Sequence, residues 1–342
     1  MPKKLRVAII FGGVSTEHSI SLLSAKHVLS TIDREEFQVI PIAIDLKGDW
    51  FEVDDLHGFI SCTAEVLSPQ LSYLKLIDPT LSYLRNTIDV AFPLIHGSPG
   101  EDGCLQGFFS LLAIPYVGCD TLSSSICMDK LIMKQLLQQA GIPIANYLAC
   151  KSSEILPFEK VQSILGLPIV VKPSNRGSAL GVTKVDSVEQ WKMAVDNARL
   201  LSDYIVFEEY ILGRELECSV LGNKNPIASR PGEIECEFYS YDAKYIHTDQ
   251  AKLRIPADLT LEIAEEIQRR ALQVFDLMRC CGMARVDFFL TMRGDLLVNE
   301  INTIPGFTGI SLYPKLLELN GYSHTQLITA LIHFAIKSPM YV

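Results

Sequence analysis

No run of apolar residues in this chain approaches the roughly 18 needed to cross a bilayer, so a membrane-spanning helix is not expected. Basic charge is scarce. Thirty Lys and Arg stand against 40 Asp and Glu, a formal net charge of −10, which argues against a nucleic-acid partner because phosphate backbones are bound by clustered cations. The P-loop signature GxxxxGK(S/T) is missing, and Gly12-Gly13-Val14 lacks the GxGxxG spacing of a dinucleotide turn, which makes a dehydrogenase a poor reading. The nine cysteines, an odd number, are scattered without metal-ligand spacing, and Cys280 and Cys281 are adjacent. Reduced, buried thiols fit this better than a disulfide framework, and no cysteine is expected to be catalytic. MPKKLRVAIIFGG reads as a charged leader into a first strand rather than a signal peptide, so a cytoplasmic location is expected.

At 342 residues the chain exceeds one typical core, and 48% hydrophobic with 20% charged residues predicts a soluble globular protein of two or three packed units. The stretch Ala284–Asn302, ARVDFFLTMRGDLLVNEIN, reads as two strands, Ala284–Leu290 and Leu296–Asn302, joined through Arg293-Gly294. With those two residues as the loop, pairing from Met292 opposite Asp295 sets Asp287 opposite Glu300 and Arg285 opposite Asn302. Strand alternation places Arg285, Asp287 and Phe289 on one face, as it does Glu300 and Asn302. Two carboxylates roughly 5 Å apart across a hairpin repel and need a compensating charge. Mg²⁺ or Mn²⁺ suits two carboxylates and an amide, with water and phosphates completing its shell. An ordinary exposed face on which Arg285 neutralises one acid serves equally well, and the hairpin alone does not choose between them.

Arg6–Phe11 is an apolar strand leading through Gly12–Thr16 into a helix from about Glu17 to Ile32, with Ser15 or Thr16 as N-cap and Ile20, Leu23, Leu29 and Ile32 on the inner face. A glycine turn before a helix N-terminus suits anions, yet the charged side chain here is Glu17. A carboxylate at that point suits a substrate ammonium or a proton relay, or simply stabilises the helix dipole. Val39–Ile44 and Trp50–Val53 are further strands. Ile88–Ile95 is a buried strand that ends in the loop His96–Gly103, before a helix Cys104–Leu112. Loops at the carboxyl ends of parallel strands bind ligands in open α/β sheets, and alternation through about residue 119 predicts a doubly wound first domain with His96 and Glu17 entering one crevice. The segment from Val53 to Thr87 shows no assignable pattern.

Asp129–Ala140 is helical, and the strand Pro168–Lys172 delivers Lys172 into Pro173–Gly181, a loop of small residues that can fold over phosphates with its N–H groups and the Ser178 hydroxyl. A flexible hairpin tip is the simpler reading of that loop. The strand Tyr204–Glu209 ends in Glu208-Glu209-Tyr210-Ile211, and Glu215 precedes the strand Leu216–Leu221. A polar, aromatic loop from Tyr239 to about Pro256 is long enough to be a lid. Leu259–Met278 and about Thr325–Ile336 are helices.

Lys172 on a strand, the serine-glycine loop, the Glu-Glu-x-Ile hinge, Lys244-Tyr245, Arg285-x-Asp287 and Glu300-x-Asn302 occur in the order seen in the ATP-grasp superfamily, which the chain resembles. With Phe11-Gly12-Gly13…Glu17-His18, His96-Gly97…Gly100-Glu101-Asp102-Gly103 and Asn302-Thr303-Ile304-Pro305-Gly306, it resembles the D-alanine:D-alanine ligase family from about Val7 to Pro314. The resemblance implies an α/β fold, α+β in its ATP-grasp part. It divides the chain into an N-terminal substrate domain over 1–119, a central ATP-grasp subdomain over 120–207 and a C-terminal ATP-grasp subdomain over 208–342, with ATP held between the last two.

The resemblance also implies a reaction and its residues. One D-alanine carboxylate takes the γ-phosphate of ATP, and the amine of a second displaces phosphate, giving the dipeptide used in peptidoglycan precursors. Lys130, Lys172 and Lys244 match phosphate contacts; Glu208, Glu209 and Ile211 match the adenine hinge, Glu215 the ribose contact and Phe289 a ring under adenine. Asp287, Glu300 and Asn302 match ligands of two Mg²⁺ or Mn²⁺ ions. Arg285 and the Gly306 N–H match oxyanion stabilisers. Glu17 matches the first substrate's ammonium partner and, with Ser178 and Tyr245, a triad that locks the lid. His96, Ser311 and Leu312 match the second-substrate site. Ala179 replaces a frequent second serine with little expected effect, and Tyr245 favours the dipeptide over D-alanyl-D-lactate. A homodimer through the first domain is implied. D-lactate or D-serine as second substrate, and a nucleotide sensor without turnover, are the rival readings.

Overall fold

The computed structural model describes residues 3–62, 74–77, 81–235 and 252–337. Strands β1 (Leu5–Gly12), β2 (Phe37–Ile44), β3 (Trp50–Val53), β4 (Leu74–Ile77) and β5 (Val90–Pro93) form the first sheet in the order β4-β3-β2-β1-β5. β1 runs parallel to both β2 and β5, whereas β3 and β4 add an antiparallel edge. The unbroken apolar run of β1 follows from its central place, with both faces covered. Val7, Ile9 and Phe11 pack with Ala25, Val28 and Leu29 of α1 (His18–Thr31) and with Leu327, Leu331 and Ile332 of the last helix, His324–Ile336. Ala8 and Ile10 face Phe109 and Tyr116 in a separate cluster. Each buried Val, Leu, Ile or Phe among them contributes about 1.5–3 kcal/mol by leaving water.

Several details differ from expectation. The α1 N-cap is Glu17, without a side-chain capping bond, because the Ser15 hydroxyl donates to His96 O and accepts the Glu17 N–H instead. Leu23 is 51% exposed and Ile20 half-buried; Ser21, Leu22 and Ser24 occupy the inner face. The last strand of this sheet is shorter than Ile88–Ile95. Helices α2 (Leu56–Ser61), α3 (Leu81–Thr87) and α4 (Cys104–Leu111) complete this region.

Beyond it, α5 (Thr121–Met128) and α6 (Lys130–Gln139) lead to a second, antiparallel sheet, in which β6 (Tyr147–Lys151), β7 (Ile169–Pro173), β8 (Thr183–Val185) and β9 (Tyr204–Glu209) lie in the order β6-β9-β7-β8. Helices α7 (Phe158–Leu165) and α8 (Val188–Arg199) bury Phe158, Val161, Trp191 and Ala194 against Ile169, Val171, Ile205 and Phe207. Alternation therefore turns Lys172 and Glu208 to the other face.

The third sheet contains β10 (Gly213–Gly222), β11 (Ile227–Ala228), β12 (Gly232–Glu235), β13 (Lys252–Arg254), β14 (Gly282–Thr291) and β15 (Leu296–Asn302). Its order is β13-β12-β10-β14-β15, with β11 on β10. β13 occupies part of the span expected to be a loop as far as Pro256. The helix Leu261–Leu277 covers one face through Ile267, Ala271, Val274 and Phe275, which meet Leu216, Cys218, Val286 and Phe288. The eight described cysteines are free. No helix among the described residues is long and apolar enough to cross a membrane.

Candidate active site

Because one face of the third sheet is filled by a helix, the polar residues of β10, β14 and β15 share the other. The register makes rows across the three strands: Glu217, Asp287 and Glu300 form one, Ser219, Arg285 and Asn302 the next, and Glu215 pairs with Phe289. The expected Asp287–Glu300 and Arg285–Asn302 pairs are present, but the expected turn is not. Thr291 N–H donates to Asp295 O, so the loop has three residues, Met292–Gly294, ending in Gly294 at φ +90°, where a side chain would be strained. Phe288 then pairs with Val298, and the register shift after Asp287 leaves Asn299 as an extra residue that brings Glu300 back opposite Asp287.

Arg285 is buried and donates to both oxygens of Asp287 at 2.7 Å, while its Nε lies 3.0 Å from Glu217 Oε2. Burial alone lowers the guanidinium pKa, but the Asp287 and Glu217 charges outweigh it and hold the pKa well above the usual range. Asn302 Nδ2 donates to Asp287 Oδ2 at 3.0 Å. Among the described residues no three His, Cys, Asp or Glu side chains are grouped so as to hold a metal ion. The donor set on offer is two carboxylates and one amide, all oxygen, and it fits Mg²⁺ or Mn²⁺ only when other oxygens complete the shell.

Above this face stand the lysines. Lys130, the first residue of α6, donates to Arg176 O at 2.8 Å and lies 3.3 Å from Glu300 Oε2. Asp129 caps α6 by accepting from Leu131 and Ile132 N–H, and the Lys130 N–H donates to Ser174 O, which fixes the helix to the end of β7. Lys172 and Glu208 are diagonal neighbours on β7 and β9, with Nζ 2.7 Å from Glu208 Oε1. Lys134, fully buried and missed by sequence reasoning, reaches the same oxygen at 3.1 Å. Burial pushes the Glu208 pKa up, but the charges of Lys134 and Lys172 bring it below the usual glutamate value. Burial lowers the Lys172 pKa; Glu208 opposes this while Lys134 and Lys130 reinforce it. One carboxylate shared by two ammoniums explains both directions.

The hinge residues follow. Glu209 accepts the Asn146 N–H at 2.8 Å, and Ile211, Glu215 and Phe289 are half-buried beside one another in chain or register. At the start of α1, buried Glu17 accepts the Ser178 hydroxyl, and the loop after β7 thereby meets the first helix. Gly97 sits so close that an added Cβ would lie 2.7 Å from Glu17 Oε2. His96 is buried, with Nε2 2.8 Å from Ser24 Oγ and Nδ1 3.1 Å from Ile304 O. Glu101, another residue unassigned from sequence, has its carboxyl pKa raised by burial and by Glu17, against the pull of His96. Gly306 lies beside Ser311, whose Oγ accepts the Thr308 N–H at 3.1 Å. The Leu312 side chain is buried with Ile234 and Leu316, so only its main chain is left for a ligand. Lys244 and Tyr245 lie outside the described residues. Glu101, Lys130, Gly177, Glu300 and Asn302 line one small cleft of about 20 Å³.

Glu217 and Lys134 had a partial signal in sequence. Glu215 and Glu217 alternate with Leu216 and Cys218, and Lys134 follows Lys130 by one helical turn, but their partners come from distant segments.

The model described as D-ala D-ala ligase N-terminus matches residues 6–119, and that described as D-ala D-ala ligase C-terminus matches residues 136–333. D-alanine--D-alanine ligase A of Escherichia coli (strain K12) is 44% identical over 352 aligned positions, covering 98% of this chain and 96% of the relative. D-alanine--D-alanine ligase of Shouchella clausii is 43% identical, with coverage of 98% and 95%. Among solved structures, the D-alanine-D-alanine ligase from Coxiella burnetii has a TM-score of 0.84 at 34% identity, covering 97% of this chain and 94% of that one. The VanG D-Ala:D-Ser ligase from Enterococcus faecalis has a TM-score of 0.85 at 34% identity, with coverage of 97% and 100%. Matched by family at both ends and by relatives over nearly its whole length, the chain belongs to the D-alanine–D-alanine ligase family.

Proposed function

We propose that this protein joins two D-alanines at the cost of ATP, by way of D-alanyl phosphate, and releases ADP and phosphate to supply the dipeptide of peptidoglycan precursors. The observation that supports this is the pair of contacts joining three regions: Lys130 of α6 lies 3.3 Å from Glu300 of β15, and Glu17 at the start of α1 accepts the Ser178 hydroxyl of the loop after β7. Glu17 comes from the start of α1, Lys130 and Lys172 from the second region, and Asp287, Glu300 and Asn302 from the third.

Each group has a task. Lys130 and Lys172, with Lys244, hold the ATP phosphates, and the Ser178 loop covers them. Glu208, Glu209 and Ile211 border adenine, Phe289 packs under it and Glu215 takes the ribose. Glu17 binds the first D-alanine's ammonium and, through Ser178 and Tyr245, links substrate to lid. Arg285 and the Gly306 N–H stabilise the oxyanion formed when the second amine attacks. His96, Ser311 and the main chain of Leu312 hold the second D-alanine. Asp287, Glu300 and Asn302 would hold two Mg²⁺ or Mn²⁺ ions, which supply charge neutralisation at the phosphates. In this reading the chain divides into 1–119, 120–207 and 208–342, acts as a cytoplasmic homodimer and takes only small-molecule substrates.

The test is phosphate release from ATP and Mg²⁺ with D-alanine, L-alanine or no amino acid, the product being identified by mass. Release confined to D-alanine, with its dipeptide, is expected; ATP binding without turnover overturns the reading in favour of a sensor. Because a D-Ala:D-Ser ligase shares the fold equally well, D-serine and D-lactate are added as competitors. A mixed product in excess over the dipeptide would reassign the second substrate.

A further inference from the structure

Ser24, on α1, is fully buried, and its hydroxyl stands between two segments that meet at the second-substrate side of the site. Its Oγ lies 2.8 Å from His96 Nε2 and accepts the Phe307 backbone N–H at 3.3 Å, while His96 Nδ1 lies 3.1 Å from Ile304 O. A carbonyl oxygen only accepts, so these partners assign the imidazole proton to Nδ1 and leave Nε2 to accept the Ser24 hydroxyl hydrogen. The donors then run one way. Phe307 N–H points to Ser24, Ser24 to His96 and His96 to Ile304.

The chain of bonds begins and ends on the same turn. Ile304 O is held at one end and Phe307 N–H at the other, so Gly306 lies between two anchored peptide groups. Ser311 packs against the same turn, its Oγ 2.9 Å from where a Cβ at Gly306 would stand.

We propose that Ser24 is a positioning residue for acyl transfer, closing a ring of hydrogen bonds that keeps the Gly306 N–H and His96 aligned with the reacting carbonyl. This rests on the roles proposed above for Gly306 and His96. Ser24 acts only through those neighbours. A donor displaced by about 1 Å loses on the order of 100-fold in rate, and an oxyanion donor is worth a similar factor.

The experiment is steady-state kinetics of S24A, S24T, H96A and S24A/H96A, each with its unfolding midpoint. S24A is expected to lower kcat roughly 10- to 100-fold while KM for ATP stays within about twofold. S24T, which keeps the hydroxyl, is expected to restore most of the loss. In the H96A background S24A is expected to add less than about threefold, since one ring is already broken. Wild-type kcat in S24A, or losses from S24A and H96A that simply multiply, would overturn the inference even if S24T does not fold. A fall in kcat that tracks the unfolding midpoint and KM for ATP together would reduce Ser24 to a structural role. If the unmodified chain shows no D-alanine-dependent turnover, the functional reading fails with it; if it turns over and S24A does so equally, only the inference fails.

Discussion

The Ser178 hydroxyl donates to the carboxylate of Glu17, 161 positions earlier in the chain, and this contact joins the loop after β7 to the first turn of α1. Ser178 and Ala179 both adopt left-handed backbone, at φ +51° and +56°, a conformation that costs non-glycine residues about 1–2 kcal/mol each. A loop that strained depends on contacts made when it is closed. Ser178→Ala is therefore expected to open it, shifting closure by roughly 10- to 100-fold for one hydrogen bond to a charged group. Faster proteolysis within residues 174–182, with an unchanged unfolding midpoint, is the check. Unaltered cleavage and unaltered kcat together would remove the contact from the mechanism.

Glu300 is partly exposed, faces Asp287 and lies 3.3 Å from the Lys130 ammonium at Oε2. Glu300→Gln keeps the shape and removes one charge. Turnover is expected to disappear while the unfolding midpoint moves by no more than about 3 °C. Wild-type rates at saturating Mg²⁺ would take Glu300 out of the site.

Both Asp287 oxygens are engaged by Arg285, so a cation must compete with that ion pair. Mn²⁺ titrated into the protein alone is expected to bind weakly, and to bind at least tenfold more tightly with ATP present, because phosphate oxygens complete the shell. Electron paramagnetic resonance of free Mn²⁺ measures this directly. Equal affinity with and without nucleotide would contradict the assignment of phosphates as ligands.

Lys134→Met leaves Glu208 with Lys172 as its remaining partner in a buried setting. The Glu208 pKa is lowered in the folded protein, so its contribution to stability is present above the ordinary value of 4.5 and is lost as pH falls through the folded value. Removing Lys134 raises the folded pKa. Denaturant unfolding between about pH 3 and pH 7 should therefore show a variant destabilised by about 1–3 kcal/mol at neutral pH that begins losing Glu208's contribution at higher pH than the parent. Superimposable pH profiles would mean that Lys134 does not set the state of Glu208.

Much of this architecture was legible because local pattern and tertiary environment agree. The apolar run of β1 marks a buried strand, the helix expected over Asp129–Ala140 is present as α6, and Tyr204–Glu209 has the expected bounds. Failures arise where a distant partner decides. Leu23 was expected inside by helical spacing, yet Ser21 and Ser24 are the buried residues because Leu94 O and His96 offer them hydrogen bonds. Likewise, nothing near Lys134 in the chain indicates that a buried carboxylate on β9 neutralises it.

The sequence by itself determined the types of side chain and their order: Arg285 and Asp287 on β14 and Glu300 and Asn302 on β15, each alternating with apolar residues, lysines at the head of α6 and the end of β7, glutamate at the start of α1. Strand period and helix capping are local properties, so these placements needed no partner. The tertiary structure decided what those groups meet. Asp287 faces Glu300 because a three-residue turn and the extra residue Asn299 offset each other, and the extra residue is set by which face of the sheet is packed against the helix Leu261–Leu277 rather than by the local run. Glu217 joins that row, and Glu17 reaches Ser178, only once separate parts of the chain are packed together; contact across 161 positions is a property of packing rather than of any local run of residues.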